Sequence, residues 1–114
     1  MDGNNAIIVT ENADLSIAIL ATVFGAVGTA GQRCTTTRRL IIHESIYDSM
    51  KEKLKKAYGQ LKIGNPLDQN NHVGPLIDKL AVEQYLNALK QCTRNFLHDF
   101  EFKIFRFFFI FPQI

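Results

Sequence analysis

One short stretch of the 114-residue chain holds the residue types that covalent chemistry needs: Gly28-Thr29-Ala30-Gly31-Gln32-Arg33-Cys34. Cys34 is the candidate nucleophile. A thiolate attacks carbon far better than a thiol, and a neighbouring cation such as Arg33 lowers the cost of forming it. Glycines tolerate positive φ and let a backbone come close to a substrate. A turn of this composition can present a sulfur whose attack leaves an oxyanion beside backbone N–H groups. Cys34 is therefore the candidate catalytic residue, and Gly31, Gln32 and Arg33 form the candidate substrate or oxyanion loop. A buried structural cysteine in a glycine-rich turn accounts for the same residue types. Gly31 and Gln32 serve turn geometry as readily as chemistry, and Arg33 suits a structural ion pair as well as thiolate support.

The elements that must position this loop read in order along the chain. Residues 6–9 are a β-branched apolar run between polar segments, the pattern of a buried strand in a parallel sheet. Asp14 is an N-cap for a helix over 15–27. That helix is apolar nearly all round, through Leu15, Ile17, Ile19, Leu20, Val23, Phe24 and Val27, so it calls for burial on most faces. It is too short and too broken by Thr and Gly to span a membrane. Gly25, Gly28 and Gly31 end it and open the cysteine loop. Residues 40–42 read as a second strand. Ser45 with Asp48 resembles a capping box for a helix to about residue 58, with the stripe Ile46, Met50, Leu54, Ala57 and Tyr58. Its opposite face, Lys51, Glu52, Lys55 and Lys56, reads as solvated surface. Residues 64–75 form a surface loop, and Asp78 caps a third helix with Leu80, Val82, Tyr85, Leu86 and Leu89 inside. The alternation of strand and helix argues for an α/β unit.

Eight of the nine phenylalanines fall between residues 96 and 111. Residues 105–111 combine strong β propensity with little charge, which is an aggregation hazard when exposed. The run is too short for a membrane span and is interrupted by Lys103 and Arg106. We expect a domain over 1–91 and an unrelated Phe-rich tail over 92–114. That tail has no amphipathic period with which to dock, and it pairs edge to edge with other copies. Removing 93–114 should then improve solubility. The net charge of +2 is too small to argue for nucleic acid or an anionic membrane. Cys34 and Cys92 form no CxxC, and Met1-Asp2-Gly3-Asn4-Asn5 has neither the secretory nor the transit pattern. Both features fit a reducing compartment, cytoplasmic or mitochondrial, in which Cys34 stays free. His43, His72 and His98 have no metal-ligand spacing, so no metal site is expected, and His43 and His72 read as surface residues.

Val27-x-x-x-Gly31-Gln32-x-Cys34 resembles the cysteine signature of the aldehyde dehydrogenases. Further resemblances are Gly3-Asn4-Asn5-Ala6-Ile7-Ile8-Val9, Asn12-Ala13-Asp14-Leu15, Ile63-Gly64-Asn65-Pro66-Leu67-Asp68 and Gly74-Pro75-Leu76-Ile77, in the family's order. The run from Gly28 to Leu40 is most similar to the antiquitin branch. The resemblance implies an incomplete catalytic domain of the aldehyde dehydrogenase fold, α/β with parallel-type strands and flanking helices. It implies NAD-dependent oxidation of an aldehyde, such as α-aminoadipic semialdehyde, to a carboxylic acid through a thiohemiacetal and thioester on Cys34. The family's general-base glutamate would precede residue 1, and its oxyanion asparagine lies further upstream. No G-x-G-x-x-G occurs, so no cofactor-binding residue is identified. The implied partners are the small aldehyde and further subunits, as a homo-oligomer or with full-length chains. The rival expectation is a truncated, non-catalytic product that at most associates with full-length subunits.

Overall fold

β1 (Asn5–Val9) and β2 (Thr37–His43) lie side by side in parallel, joined by the crossover helix α1 (Leu15–Val27). The computed structural model describes residues 3–95, 101–102 and 105–109. Ile7 lies opposite Leu40, Ile8 opposite Ile41 and Val9 opposite Ile42. The register slips between Asn5 and Ala6, close to the cysteine turn, which is where a bulge re-aims a chain. β2 is longer than the apolar run 40–42 because Thr37, Arg38 and Arg39 extend it. Both arginines find carbonyls to bond, at Gly31 and Asn4 respectively.

α1 starts where expected. The Asp14 carboxylate accepts from the Ser16 N–H at 2.9 Å, the Ser16 hydroxyl at 2.5 Å and the Ile17 N–H at 3.4 Å, satisfying donors that the first helical turn leaves open. Its burial differs from expectation. Thr22, Ala26 and Val27 are buried, while Ile17, Leu20 and Phe24 are 66%, 72% and 69% exposed. Only one side of α1 meets β2 and the next helix among the described residues, so the opposite side remains uncovered.

α2 (Glu44–Gly59) follows β2 without a loop, and its N-cap is His43 rather than Ser45. A strand that runs straight into a helix leaves its last residue in the extended conformation a cap requires. The His43 Nδ1 accepts from the Ser45 N–H at 3.3 Å, and its Nε2 lies 3.0 Å from a Glu11 carboxylate oxygen. His43 is thus a structural junction. Tyr47, Met50 and Leu54 turn inward from α2 onto Val9, Ala26, Leu40 and Ile42 to make the core. The stripe read from the sequence omitted Tyr47, which is almost fully buried.

The loop over 64–75 is pinned at its base. Ile63 bridges Val73, Val73 is buried, and the His72 ring accepts the Lys62 N–H at 3.0 Å. α3 (Lys79–Asn95) receives its cap from Asp78, which bonds the Ala81 N–H at 2.8 Å. Leu80, Val82 and Leu86, expected inside, are exposed. The helical period is present, but the described residues place no complementary surface against these side chains.

The Phe-rich segment changes the sheet. β3 (Glu101–Phe102) pairs with β4 (Phe105–Phe109), and β4 lies antiparallel on β2, giving the order β1-β2-β4-β3. Docking as a strand needs no amphipathic period. It needs only a free row of N–H and C=O groups, and β2 offers one on the edge away from β1.

Two groups set a pH dependence. Burial pushes the Tyr58 phenol up to about 12 from its ordinary 10.0, and its hydroxyl has no hydrogen-bond partner among the described residues. Below pH 10 both the folded and the unfolded chain keep that proton, so its contribution to stability is intact. Between pH 10 and 12 the unfolded chain ionises first and stability falls. The Asp14 carboxyl is held below its ordinary 3.8, first by the Ser16 hydroxyl and then by the Ile17 and Ser16 N–H groups. Its contribution is present above that value and lost as pH falls below it. Thermal melts across pH should therefore show a shallower alkaline decline for Tyr58→Phe than for the parent. At neutral pH that variant should lose no stability, because the hydroxyl it removes is buried and unpaired. An unchanged alkaline slope would show that Tyr58 is not the responsible group.

Candidate active site

The chain leaves α1 through a 3-10 turn, Gly28–Gly31, in which Thr29 (φ 54°), Ala30 (φ 54°) and Gly31 (φ 69°) are all left-handed. Glycine takes this conformation freely, but Thr and Ala pay about 1–2 kcal/mol each. Such strain survives only where surrounding contacts over-determine it, and it collects at functional sites. Here the Thr29 carbonyl accepts from both the backbone N–H and the side-chain amide of Gln32, each at 3.1 Å. The Gly31 carbonyl accepts from Arg38 at 3.2 Å, and Ala30 is buried.

The next turn presents the cysteine. The Arg33 N–H donates to the Thr36 hydroxyl at 3.1 Å, and the Thr36 N–H donates to the Arg33 carbonyl at 3.1 Å. Cys34 and Thr35 occupy the tip, and Cys34 is an exposed free thiol. The buried-cysteine reading is thereby corrected: Thr36 fills the interior position and Cys34 faces outward. The Cys34 carbonyl accepts from the Asn5 side-chain amide at 2.6 Å, and a Cβ on Gly3 would stand 2.5 Å from that same oxygen. The cysteine backbone is therefore clamped from β1. Among the described residues the Cys34 N–H has no hydrogen-bond partner.

Arg33 turns back along α1. Its guanidinium donates to the Phe24 carbonyl at 3.2 Å and lies 5.2 Å from the Phe24 ring centroid. It occupies the space a Gly28 side chain would need. A carbonyl and a ring are thus its partners here, a third role beside the two left open by the sequence. Gln32 does more than shape its own turn, because its Oε1 accepts the Ile77 N–H at 2.8 Å, across 45 residues of chain. Sequence reasoning missed Gly3, Asn5 and Ile77 as supports. Asn4-Asn5 before an apolar strand was the available signal for the first two, whereas nothing local marks the Ile77 backbone. No three His, Cys, Asp or Glu side chains converge among the described residues.

A parallel βαβ unit that carries an exposed cysteine on a strained turn, between its crossover helix and second strand, defines a cysteine-bearing α/β class. The aldehyde dehydrogenase family model matches residues 1–97, and the chain belongs to the aldehyde dehydrogenase family. It is antiquitin-like within that family. An aldehyde dehydrogenase family 7 member A1 homolog of Caenorhabditis elegans is 61% identical over 97 residues, covering 83% of this chain and 18% of that protein. The alpha-aminoadipic semialdehyde dehydrogenase of Bos taurus is 53% identical over 95 residues, with the same coverage of each. The chain thus spans about 18% of the length of these curated relatives. Among solved structures, succinate-semialdehyde dehydrogenase from Burkholderia pseudomallei matches with a TM-score of 0.76 at 32% identity, over 81% of this chain and 19% of that one. Proline utilization A from Bdellovibrio bacteriovorus matches with a TM-score of 0.81 at 28% identity, over 83% and 10%.

Proposed function

We propose that Cys34 is the nucleophile for oxidation of an aldehyde to a carboxylic acid, with α-aminoadipic semialdehyde as the substrate suggested by the names of its relatives. One observation carries this reading: an exposed thiol on a strained turn whose backbone carbonyl is clamped and whose N–H is uncommitted. The thiolate of Cys34 attacks the aldehyde carbon, an S–C bond forms, and the carbonyl electron pair moves to oxygen. The Cys34 N–H is the donor for that oxyanion, and one such donor is worth on the order of 10²–10³ in rate. Gly31 and Gln32 hold the loop, and Arg33 fixes it to α1.

Oxidation then requires a hydride acceptor, for which family membership favours NAD. Two glycines beside the cysteine turn offer no open backbone for its phosphates. Thr37 Oγ1 lies 2.7 Å from where a Gly25 side chain would begin, and Arg33 fills the space at Gly28, so neither glycine is open to a phosphate. The second reading is a chain that acts only together with further family subunits and does not turn over alone, and the absence of an open glycine at this turn supports its second half. No helix among the described residues is long and apolar enough to cross a membrane. The proposed compartment is the cytoplasm or mitochondrion, and the proposed partners are the aldehyde and further family subunits.

Iodoacetamide labelling with peptide mapping tests the nucleophile. Cys34 is expected to react about tenfold faster than Cys92, because its thiol stands exposed at the tip of a turn beside an uncommitted N–H. Equal rates would overturn the assignment. Steady NAD-dependent turnover above a Cys34→Ala control would instead eliminate the second reading.

A further inference from the structure

The left-handed run Thr29-Ala30-Gly31 needs an external restraint, and beyond Leu76, which packs against the core, the chain needs a polar anchor, because Ile77 is 85% exposed and contributes little packing. One side chain meets both needs. The Gln32 Nε2 donates to the Thr29 carbonyl at 3.1 Å and lies 3.5 Å from the Pro75 carbonyl, while its Oε1 accepts the Ile77 N–H at 2.8 Å. An amide is rigid and planar, so its two ends cannot adjust independently. Donor and acceptor are used together, which no other residue type of this length reproduces: an ionised Glu cannot donate, and Met has no donor and only a weak acceptor.

The geometry points to Gln32 as a positioning residue for Cys34, an amide clamp that locks the strained cysteine turn to the backbone of residues 75–77. One residue, Arg33, separates the clamp from Cys34, and the turn from Arg33 to Thr36 transmits its position. This inference deepens the assignment of Cys34 as nucleophile and rests on it. The clamp itself is read out at a backbone amide, whatever the thiol does.

Two substitutions in the full chain separate the halves of the clamp. Gln32→Ala removes both. Hydrogen exchange at the Ile77 amide is expected to quicken about fivefold, the effect of one typical hydrogen bond. The ratio of Cys34 to Cys92 alkylation should change by about threefold or more, while amides of the buried α2 residues Tyr47 and Leu54 keep their protection. Gln32→Glu keeps an oxygen for Ile77 and turns the contact with Thr29 into repulsion between two acceptors. Ile77 should then stay protected while the Cys34 ratio still moves, a split that general loosening of the loop does not produce. Unchanged Ile77 exchange or an unchanged Cys34 ratio in Gln32→Ala overturns the clamp. Loss of Ile77 protection in Gln32→Glu, or an unmoved Cys34 ratio there, does so as well. If Gln32→Ala loses protection in α2, the Gln32→Glu result alone decides. A parent Cys34 that reacts like an ordinary thiol counts against the nucleophile assignment, and Ile77 exchange still decides the clamp.

Discussion

Removal of residues 96–114 is expected to lower the melting temperature by about 10 °C or more and to shift the chain to larger species on size exclusion. The reason is the position of β2. Arg39 to His43 pair with Phe109 to Phe105, so truncation strips five register positions from a strand whose Leu40 and Ile42 are core residues. Each ladder bond contributes about 0.5–1.5 kcal/mol net, and several together are comparable with a typical domain stability of about 5–15 kcal/mol. For a domain of this size each kcal/mol is worth roughly 4–8 °C. The uncovered edge is apolar and unpaired, the arrangement that recruits other copies. This reverses the expectation from composition, under which losing the Phe-rich segment improves solubility. A truncated chain with an unchanged melt and no shift to larger species on size exclusion would show that the β4–β2 ladder contributes nothing.

Leu40→Ala should be the most damaging single substitution in the sheet. Leu40 has no exposed surface and sits in β2 among Val9, Tyr47, Met50 and Leu54. Truncating a buried leucine costs about 2–5 kcal/mol, the lost transfer energy plus a cavity that close packing cannot refill. In a marginal domain that is enough to abolish the cooperative transition. Leu20→Ser, also a leucine on a regular element, should change stability by no more than about 0.5 kcal/mol, because Leu20 is 72% exposed. Urea titration of the two variants makes the comparison. Equal midpoints would mean that α1 buries its outer face and that the core is not where Leu40 lies.

The elements themselves were legible because their signals are local. The β-branched run of β1, the Asp14 cap and the period of α2 act within a few residues of where they are written, and each became the expected element. The glycine turn and its thiol were legible for the same reason, since they are adjacent in the chain. The bounds of β2 were less so, because Arg38 and Arg39 obscure a strand pattern until their distant carbonyl partners are known.

What belongs to long-range contact could not be read. A helical stripe states that a face is apolar, not that anything covers it, so Ile17, Leu20 and Phe24 on α1 and Leu80, Val82 and Leu86 on α3 had the period of core residues and remain exposed. The sequence determined that residues 105–111 favour extended backbone. Only the tertiary structure decided that β2 would receive β4, because strand pairing is specified by backbone groups that every residue carries. The same holds at the cysteine. Residue type and spacing determined that a thiol follows a glycine turn, while Asn5, Gln32 and the backbone of Ile77 were chosen by proximity across 29 and 45 residues. A hydrogen bond depends on distance and angle in space, and separation along the chain does not encode either.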